Sequence, residues 1–312
     1  MAEPALRRRT ELACRNLFVG DDAILAMRGT GIWMDFDGPH AAPAIVTRVD
    51  AALAAGTPLS LIRIGNGEGN AVAMLAAGAG DAEFDAFDVE FVSQNGRSID
   101  RDAASALSQA VVDAIGAADI QGYRLGRFDE AALIRDCIDR AQWSPAFGLI
   151  HARALLARRA RAGGTAWFTS AWIHLDLLAR LGPWLDAAPA VIVVTGRADL
   201  QPVFADRLSG RLRRFVAVPV QGYRPVGAAD AHTAMFGHVC AMLRREAGPR
   251  TLVLVGAGLF GKVYCHEAQR AGAVAIDLGS AFDLMAGVAT RPVHRGIDLA
   301  AVRWATVRAA TA

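Results

Sequence analysis

Apolar runs alternate with segments of helical spacing along most of the chain, and this alternation predicts strands separated by helices. The predicted strands lie at Leu59–Ile64, Asp119–Tyr123, Thr165–Thr169, Ala190–Thr195, Phe215–Val220, Thr251–Val255 and Val274–Leu278. Most of these runs are continuously apolar rather than alternating, which is typical of strands covered on both faces. The pattern therefore predicts an α/β, Rossmann-like fold with a mostly parallel sheet and helices on both of its faces.

Apolar residues three and four positions apart predict the helices between these strands. They are expected at Ala44–Ala55, Asp100–Gly116, Asp129–Ala141, Pro145–Arg161, Ser170–Leu181, Asp199–Leu208, Asp230–Glu246 and Gly258–Ala271. The acidic stretch Asp81–Asp88 predicts a loop. Near the start, Thr10–Phe18 predicts a short helix and Asp21–His40 an irregular segment. We therefore interpret residues 1–43 as an N-terminal helical and irregular extension, and residues 44–312 as a single domain.

Composition narrows the class of protein. Of 312 residues, 53% are hydrophobic, and the net charge of +2 with scattered basic residues argues against an extended nucleic-acid-binding surface. The apolar runs fall far short of the ~20 residues of a membrane-spanning helix, and no apolar segment of a secretory signal follows Met1–Arg9. The four cysteines are isolated, which favours reduced thiols over disulfides or a zinc site. We expect a soluble, cytoplasmic protein without a transmembrane segment.

The segment LSLIRIGNGEGN at Leu59–Asn70 combines an apolar strand with a glycine-rich turn. A helix-like run, Ala71–Ala77, follows it. Three glycines in five residues allow positive φ angles and let a ligand approach the backbone closely. Asn66 and Glu68 both carry side-chain oxygens that can face a hard cation. The alternative interpretation is a glycine-rich strand-to-helix turn with a charge pair at its rim.

A second segment, Thr251–Ser280, has the spacing of a dinucleotide-binding turn. Gly256, Gly258 and Gly261 form a complete G-x-G-x-x-G between a strand and a helix, and Asp277 ends the next strand, where a ribose-binding acid belongs. Such a turn at a helix N-terminus binds phosphates of many kinds. It is also compatible with simple close packing of a helix on a strand.

Lys262 follows this turn and is the one lysine among the 33 basic residues of the chain. Its position almost satisfies a P-loop, but Val263 supplies no hydroxyl for magnesium, which argues against a P-loop ATPase. Both glycine turns come after strands of one predicted sheet. Because ligands bind beyond the carboxyl ends of such strands, we expect the two turns to line the same crevice.

At these two segments the sequence resembles the GT-D-type glycosyltransferases. Their early motif is approximately R-x-G-D-G-E, and it stands here as RIGNGE at Arg63–Glu68. Their C-terminal block, a strand with a glycine turn, a helix and then D-[IL]-G, is matched by LVLVGAG at 252–258 and by Asp277–Gly279, with GSAFDLMAG continuing to Gly287. The resemblance covers about Leu59–Arg291 and implies that residues 44–312 form one GT-D-type catalytic domain.

The resemblance implies a hexosyltransferase-like activity. The family moves a sugar from a nucleotide-diphosphate sugar, above all a UDP-sugar, to a hydroxyl acceptor, so the expected partners are such a donor and a glycan or lipid-linked acceptor in cell-surface glycan synthesis. The acidic motif engages a divalent cation, Mn²⁺ or Mg²⁺, which implies Glu68 and Asn66 as its ligands. Since Asn66 stands where the family has aspartate, the cation is expected to bind weakly.

The resemblance also implies a donor site at the two segments. Its residues would be Arg63, Gly65, Asn66, Gly67, Gly256, Gly258, Lys262, Asp277 and Ser280. Arginine, lysine and the turn amides would stabilise the departing nucleoside diphosphate. An inverting displacement also needs a base for the acceptor hydroxyl, and Glu68, Asp283 and His232 all remain open for that role.

Two other functions remain open from the sequence. The G-x-G-x-x-G turn with Asp277 suits an NAD(P)-dependent oxidoreductase. The asparagine at position 66 suits a non-catalytic domain that binds nucleotide sugars. The donor sugar, the acceptor, the stereochemistry and a homo-oligomeric state are left open by the sequence.

Overall fold

The computed structural model describes residues 2–14, 41–124, 130–162, 166–219, 229–291 and 294–302. The strands are β1 (Leu59–Ile64), β2 (Ile120–Tyr123), β3 (Trp167–Ser170), β4 (Ala190–Thr195), β5 (Leu212–Ala217), β6 (Thr251–Gly256) and β7 (Val274–Asp277). The helices are α1 (Ala2–Cys14), α2 (Ala41–Ala55), α3 (Asn66–Met74), α4 (Asp81–Asn95), α5 (Arg101–Ala117), α6 (Glu130–Asp139), α7 (Trp143–Ala162), α8 (Ile173–Ala187), α9 (Gln201–Leu208), α10 (Ala229–Glu246), α11 (Gly258–Arg270), α12 (Ala281–Met285) and α13 (Leu299–Val302). The predicted irregular segment Asp21–His40 lies outside the described residues.

The strands form one sheet in the order β3-β2-β1-β7-β6-β4-β5. Every strand pair with a described register is parallel. All residues of β4 and β7 are buried, so side chains on both faces of these strands are covered. The edge strand β5 differs, because its residues are half-buried or exposed. The predicted α/β, Rossmann-like fold with a parallel sheet is confirmed.

The chain divides into two compact units that interleave along the sequence. The first unit comprises Met1–Ala44 and Leu61–Ile173, and the second comprises Ile45–Ser60 and His174–Ala312. The first unit holds β2, β3 and most of β1, and the second holds β4 to β7. The bounds of the predicted extension and of the predicted single domain stay a prediction.

In the first unit, α3 and α7 pack with their backbones in contact. A methyl group on Gly69 would lie 1.7 Å from the carbonyl oxygen of Gly148, and one on Gly148 would lie 2.0 Å from that of Asn66. Any side chain at these two positions would therefore collide with the opposite backbone. The buried Asn70 adds a polar link, since its Nδ2 donates to Oγ of Ser144 in α7 at 3.1 Å.

Several predictions for the first unit are wrong, among them the start of its first helix, which begins at Ala2 rather than at Thr10. α3 begins at Asn66 rather than near Ala71, so the glycine-rich turn is the first turn of a helix, and Gly65 has a φ of −128°, outside the left-handed region. α4 occupies the stretch Asp81–Asp88, where a loop was predicted. Glu83 accepts a hydrogen bond from the Gly80 N–H at 2.8 Å, so these acidic residues begin a helix, where they favour its dipole.

In the second unit, α2 is joined to α8 by a polar contact. Asp50 accepts hydrogen bonds from Nε1 of Trp184 at 2.6 Å and from Nη2 of Arg180 at 3.1 Å. The end of α8 is capped by Arg211, whose guanidinium donates to the carbonyl oxygens of Asp186 at 3.0 Å and Ala188 at 3.1 Å. These bonds satisfy carbonyl groups that the end of a helix leaves without an intrahelical partner.

The cysteines lie in the described part of the chain and carry free thiols. Burial raises the pKa of Cys240 to about 12, which keeps this thiol protonated and unreactive. Among the described residues, no helix combines the length and the apolar character needed to cross a membrane.

Candidate functional site

Three parallel strands of the first unit end side by side. Ile64, Tyr123 and Ser170 share one register at the ends of β1, β2 and β3. Gly65 directly follows β1, and Arg124 directly follows β2. Ligands of α/β sheets bind at the carboxyl ends of the strands. The residues that follow β1, β2 and β3 therefore form the first candidate site.

Two guanidinium groups lie near the carboxyl ends of these strands. Nη1 of Arg63 donates to the carbonyl oxygen of Ala171 at 3.3 Å, and Arg124 lies over the ring of Trp172, 5.4 Å from its centroid. A methyl group on Gly65 would lie 3.4 Å from Nε of Arg124, so this guanidinium lies against the backbone that follows β1. Both arginines are half-buried, where a positive charge is screened less than in open water.

Glu68 lies in the first turn of α3 and is 7% exposed. Its Oε2 accepts a hydrogen bond from the Gly65 N–H at 2.7 Å. This is the carboxylate half of a capping box, and the positive end of the helix dipole also favours a negative charge there. The carboxylate is therefore held in a fixed position by the backbone of the turn.

Glu90 on α4 brings a second carboxylate to this turn. Its Oε1 accepts a hydrogen bond from Nε2 of Gln94 at 2.6 Å, and the side-chain amide of Asn66 acts on the same carboxylate. Burial raises the pKa of Glu90, and the negative charge of Glu68 raises it further. The amides of Gln94 and Asn66 and the positive charge of Arg124 lower this pKa.

Lys262 and Asp277 form a buried ion pair in the second unit. Nζ of Lys262 lies 2.8 Å from Oδ2 of Asp277 and donates to the carbonyl oxygen of Gly258 at 3.2 Å. Lys262 is 4% exposed and Asp277 is 1% exposed. Each charge offsets part of the cost of burying the other.

The glycines of the G-x-G-x-x-G turn have reasons within the protein. A methyl group on Gly256 would lie 2.4 Å from Cδ2 of the Phe282 ring, and one on Gly261 would lie 3.1 Å from Cγ1 of Val255. Gly258 has a φ of +52°, a conformation that favours glycine. Packing of α11 and α12 against β6, together with the positive φ of Gly258, therefore accounts for this spacing without a ligand.

A polar cluster lies near the start of α12 in the second unit. The Thr290 N–H donates to Nδ1 of His294 at 3.2 Å, so the ring proton of His294 is on Nε2. That Nε2 donates to Oγ of Ser280 at 3.2 Å, and the same Oγ lies 3.4 Å from Nε2 of His174. Both histidines are buried.

Asp283 belongs to the same part of the second unit. Its Oδ1 lies 2.7 Å from Nε of Arg197, and its Oδ2 accepts a hydrogen bond from the Thr290 hydroxyl. Both carboxylate oxygens of Asp283 therefore have partners in this structure.

A family model described as a GT-D fold-like domain matches residues 40–285, which is most of the chain. The chain belongs to this GT-D-like family. The early R-x-G-D-G-E position and the C-terminal glycine turn both lie within the matched residues, and a glycosyltransferase-like fold follows for the chain. Comparisons with curated proteins and with solved structures gave no match.

The predicted site residues lie in both units of the GT-D-like domain. The first unit holds Arg63, Gly65, Asn66, Gly67 and Glu68, which are consecutive apart from Ile64. The second unit holds Gly256, Gly258, Lys262, Asp277, Ser280 and Asp283. His232 lies in α10, and its side chain is outside the described part. Each proposed role, and the crevice shared by the two turns, stays a prediction.

Three residues of the candidate site in the first unit were not predicted from the sequence. Arg124 and Trp172 follow strands that are only four residues long, and Glu90 lies in a helix with four other acidic residues, Asp81, Glu83, Asp85 and Asp88. One usable signal for Arg124 was its place directly after a predicted strand. Nothing in the sequence separates Glu90 from the acidic residues around it.

The described residues offer few ligands for a metal ion. In the described ranges, no group of three or more His, Cys, Asp or Glu side chains is placed to hold one. The predicted ligands Glu68 and Asn66 offer one carboxylate and one amide. A hard cation prefers several charged oxygen ligands, so these residues fit a weak site rather than a tight one.

Proposed function

We propose that this GT-D-like domain is a glycosyltransferase. It transfers a sugar from a nucleotide-diphosphate sugar, with UDP-sugars as the first candidates, to a hydroxyl of a glycan or lipid-linked acceptor. The match of residues 40–285 to the GT-D fold-like domain carries this proposal. The free thiols of the four cysteines support a cytoplasmic location, where such donors are made.

The positive charges near the carboxyl ends of β1 and β2 support a role of the first unit in donor binding. When the bond to the sugar breaks, negative charge develops on the departing diphosphate. Arg63 and Arg124 carry positive charge next to the turn that follows β1. Fixed guanidinium groups in a half-buried position stabilise that charge and match the geometry of phosphate oxygens.

Glu68 and Asn66 would hold a divalent cation, Mn²⁺ or Mg²⁺, in the proposed site. A bound cation would neutralise charge on the diphosphate. With one carboxylate and one amide, the site is expected to bind the cation weakly, and the arginines then carry more of the diphosphate charge.

An NAD(P)-dependent oxidoreductase is the second candidate, and the second unit gives it less support. Its ribose-binding acid would be Asp277, which is 1% exposed and ion-paired with Lys262. Internal packing explains the glycines of the G-x-G-x-x-G turn. A domain that binds nucleotide sugars without turning them over remains the third candidate, because position 66 lacks a carboxylate.

Calorimetry with UDP, GDP, CMP, NAD and NADP, each with and without Mn²⁺, tests the proposal. We expect binding of a nucleoside diphosphate, UDP first, and none of NAD or NADP. Turnover of the matching nucleotide sugar should then be lost in Glu68→Gln, which keeps the shape of the side chain. Binding of NAD or NADP alone would overturn the proposal, and UDP binding without any turnover would favour the non-catalytic domain.

A further inference from the structure

A chain of hydrogen bonds in the second unit links the segments that follow two of its strands. Nε of Arg197, two residues after β4, donates to Oδ1 of Asp283 on α12 at 2.7 Å. Oδ2 of Asp283 accepts the Thr290 hydroxyl, and the Thr290 N–H donates to Nδ1 of His294 at 3.2 Å. Nε2 of His294 in turn donates to Oγ of Ser280, three residues after β7, at 3.2 Å. Arg197 and Ser280 therefore belong to one connected network at the carboxyl ends of parallel strands, where ligands of such sheets bind.

Three side chains of this network reach solvent and keep hydrogen-bonding capacity. Arg197 uses Nε for Asp283, and among the described residues its two terminal Nη groups have no hydrogen-bond partner. The side chains of Arg197 and Asp283 are 20% and 19% exposed. Each carboxylate oxygen of Asp283 accepts one described hydrogen bond and can accept a second. Ser280 is half-buried one helical turn before Asp283, and its Oγ also lies 3.4 Å from Nε2 of His174.

The charges and the donors of these side chains indicate the class of ligand. Arg197 and Asp283 bring one charge of each sign, so a phosphate bound to the guanidinium would meet a carboxylate beside it. A sugar hydroxyl is neutral, and it both donates and accepts hydrogen bonds. Neighbouring hydroxyls of a sugar ring therefore match a guanidinium, a carboxylate and a serine hydroxyl better than a phosphate does.

We propose that Arg197, Asp283 and Ser280 form a sugar-binding site in the second unit. The Nη groups of Arg197 donate to sugar hydroxyls, Asp283 accepts hydrogen bonds from them, and Ser280 can do either. His294 is a positioning residue, because it is 1% exposed and acts on the ligand only through the Ser280 hydroxyl. The choice of a sugar rests on the proposed function. The sugar belongs either to the nucleotide donor or to the acceptor, since both carry the same hydroxyl chemistry.

The test compares Arg197→Met with Arg207→Met, which removes an exposed arginine that also lies 2.7 Å from an aspartate, Asp186. Calorimetry measures the affinity for UDP, UDP-glucose, UDP-galactose and UDP-N-acetylglucosamine, and titrations followed by NMR measure the affinity for the methyl glycosides of the same sugars. For a donor sugar, we expect Arg197→Met to weaken binding of the best-bound UDP-sugar by about tenfold or more, the usual size for a hydrogen bond to a charged group. UDP itself should bind within about twofold of wild type, because it carries no sugar for this site.

For an acceptor sugar, the same loss should appear with a methyl glycoside, and the UDP-sugars should bind as in the wild type. Ser280→Ala should act in the same direction, by about threefold or more, and it decides the matter if Arg197→Met does not fold. Arg207→Met should bind every ligand as the wild type does.

Each alternative outcome has a distinct meaning. Unchanged affinity of both variants for every UDP-sugar and glycoside that the wild type binds overturns the sugar-binding site and leaves the proposed function standing. An equal loss of affinity for UDP and for the UDP-sugars overturns it in favour of a phosphate site. Wild-type protein that binds a glycoside but neither UDP nor any UDP-sugar overturns the proposed function, and loss of that glycoside in Arg197→Met would still support the site. Wild-type protein that binds none of these ligands overturns both.

Discussion

At the scale of single residues, the buried pair of Lys262 and Asp277 makes the sharpest prediction for stability. Lys262→Met removes the ammonium 2.8 Å from Asp277 and leaves that carboxylate with less compensation in a site that is 1% exposed. Breaking a buried ion pair in this way costs roughly 3–5 kcal/mol. We expect urea unfolding to show a loss of this size.

The double variant Lys262→Met/Asp277→Asn separates a structural role from phosphate binding. If the pair is structural, the double variant should lose less stability than the sum of the two single variants, because neither charge is left without the other. If Lys262 instead binds the diphosphate, Lys262→Met should weaken UDP binding by roughly 1.5–3 kcal/mol while leaving the unfolding free energy nearly unchanged.

Asn66→Asp tests the site of the first unit. The change adds a negative charge beside Glu68 and Glu90 and removes the amide that lowers the pKa of Glu90. Three neighbouring carboxylates repel one another and favour a bound dication, so Mn²⁺ affinity should rise by about tenfold, or roughly 1.4 kcal/mol. Titration of Mn²⁺ by calorimetry measures this. Unchanged Mn²⁺ affinity would mean that position 66 does not face the cation, and tight Mn²⁺ binding by the wild type would contradict the expected weak site.

At the scale of elements, α7 contains a histidine that makes stability depend on pH. Burial, together with the positive charge of Arg158, lowers the pKa of His151 to about 4, while Glu83 opposes the shift. The ring packs on Phe147 with 4.4 Å between centroids. The unfolded chain takes up this proton below about pH 6.5, but the folded chain does not until about pH 4. Stability is therefore lost as the pH falls from about 6.5 to 4.

Urea unfolding at pH 7 and pH 4.5 measures this contribution. Between these values the wild type should lose roughly 2–3 kcal/mol more than His151→Gln, which has no proton to take up. The exposed His238 on α10 provides the control, and His238→Gln should show the same loss as the wild type. Equal losses in the wild type and His151→Gln would contradict the account.

The elements also show where sequence reasoning succeeds. β4 and β6 were predicted within one residue, because a continuous apolar run with short flanking loops has no competing interpretation. The start of α3 was missed because glycine usually ends helices, whereas here Gly69 allows the backbone of α7 to approach. That contact joins residues far apart in sequence, and no local pattern reveals it. Glu90 was missed for the same reason, since Asn66 and Glu68, which act on its pKa, lie on another helix.

At the scale of the whole molecule, the interleaved units predict that the second unit does not fold from its continuous part. Residues 174–312 lack α2, whose Ile45, Val49 and Leu53 are buried. Fully burying one such side chain stabilises a protein by roughly 1.5–3 kcal/mol, so three contribute roughly 5–9 kcal/mol. That is comparable to the roughly 5–15 kcal/mol that holds a whole domain together.

A fragment of residues 174–312 should therefore show no cooperative thermal unfolding by circular dichroism. The Trp184 indole, which donates to Asp50 of α2 at 2.6 Å, should report a solvent-exposed fluorescence spectrum in the fragment. Adding a peptide of residues 41–60 should restore part of the structure and shift that spectrum, because the peptide supplies both the apolar face and the carboxylate. The same peptide with Val49→Asp should not, since Val49 is fully buried and a charge there has no partner to compensate for its burial. A sharp, reversible melting transition in the fragment alone would show that the second unit is independent of α2.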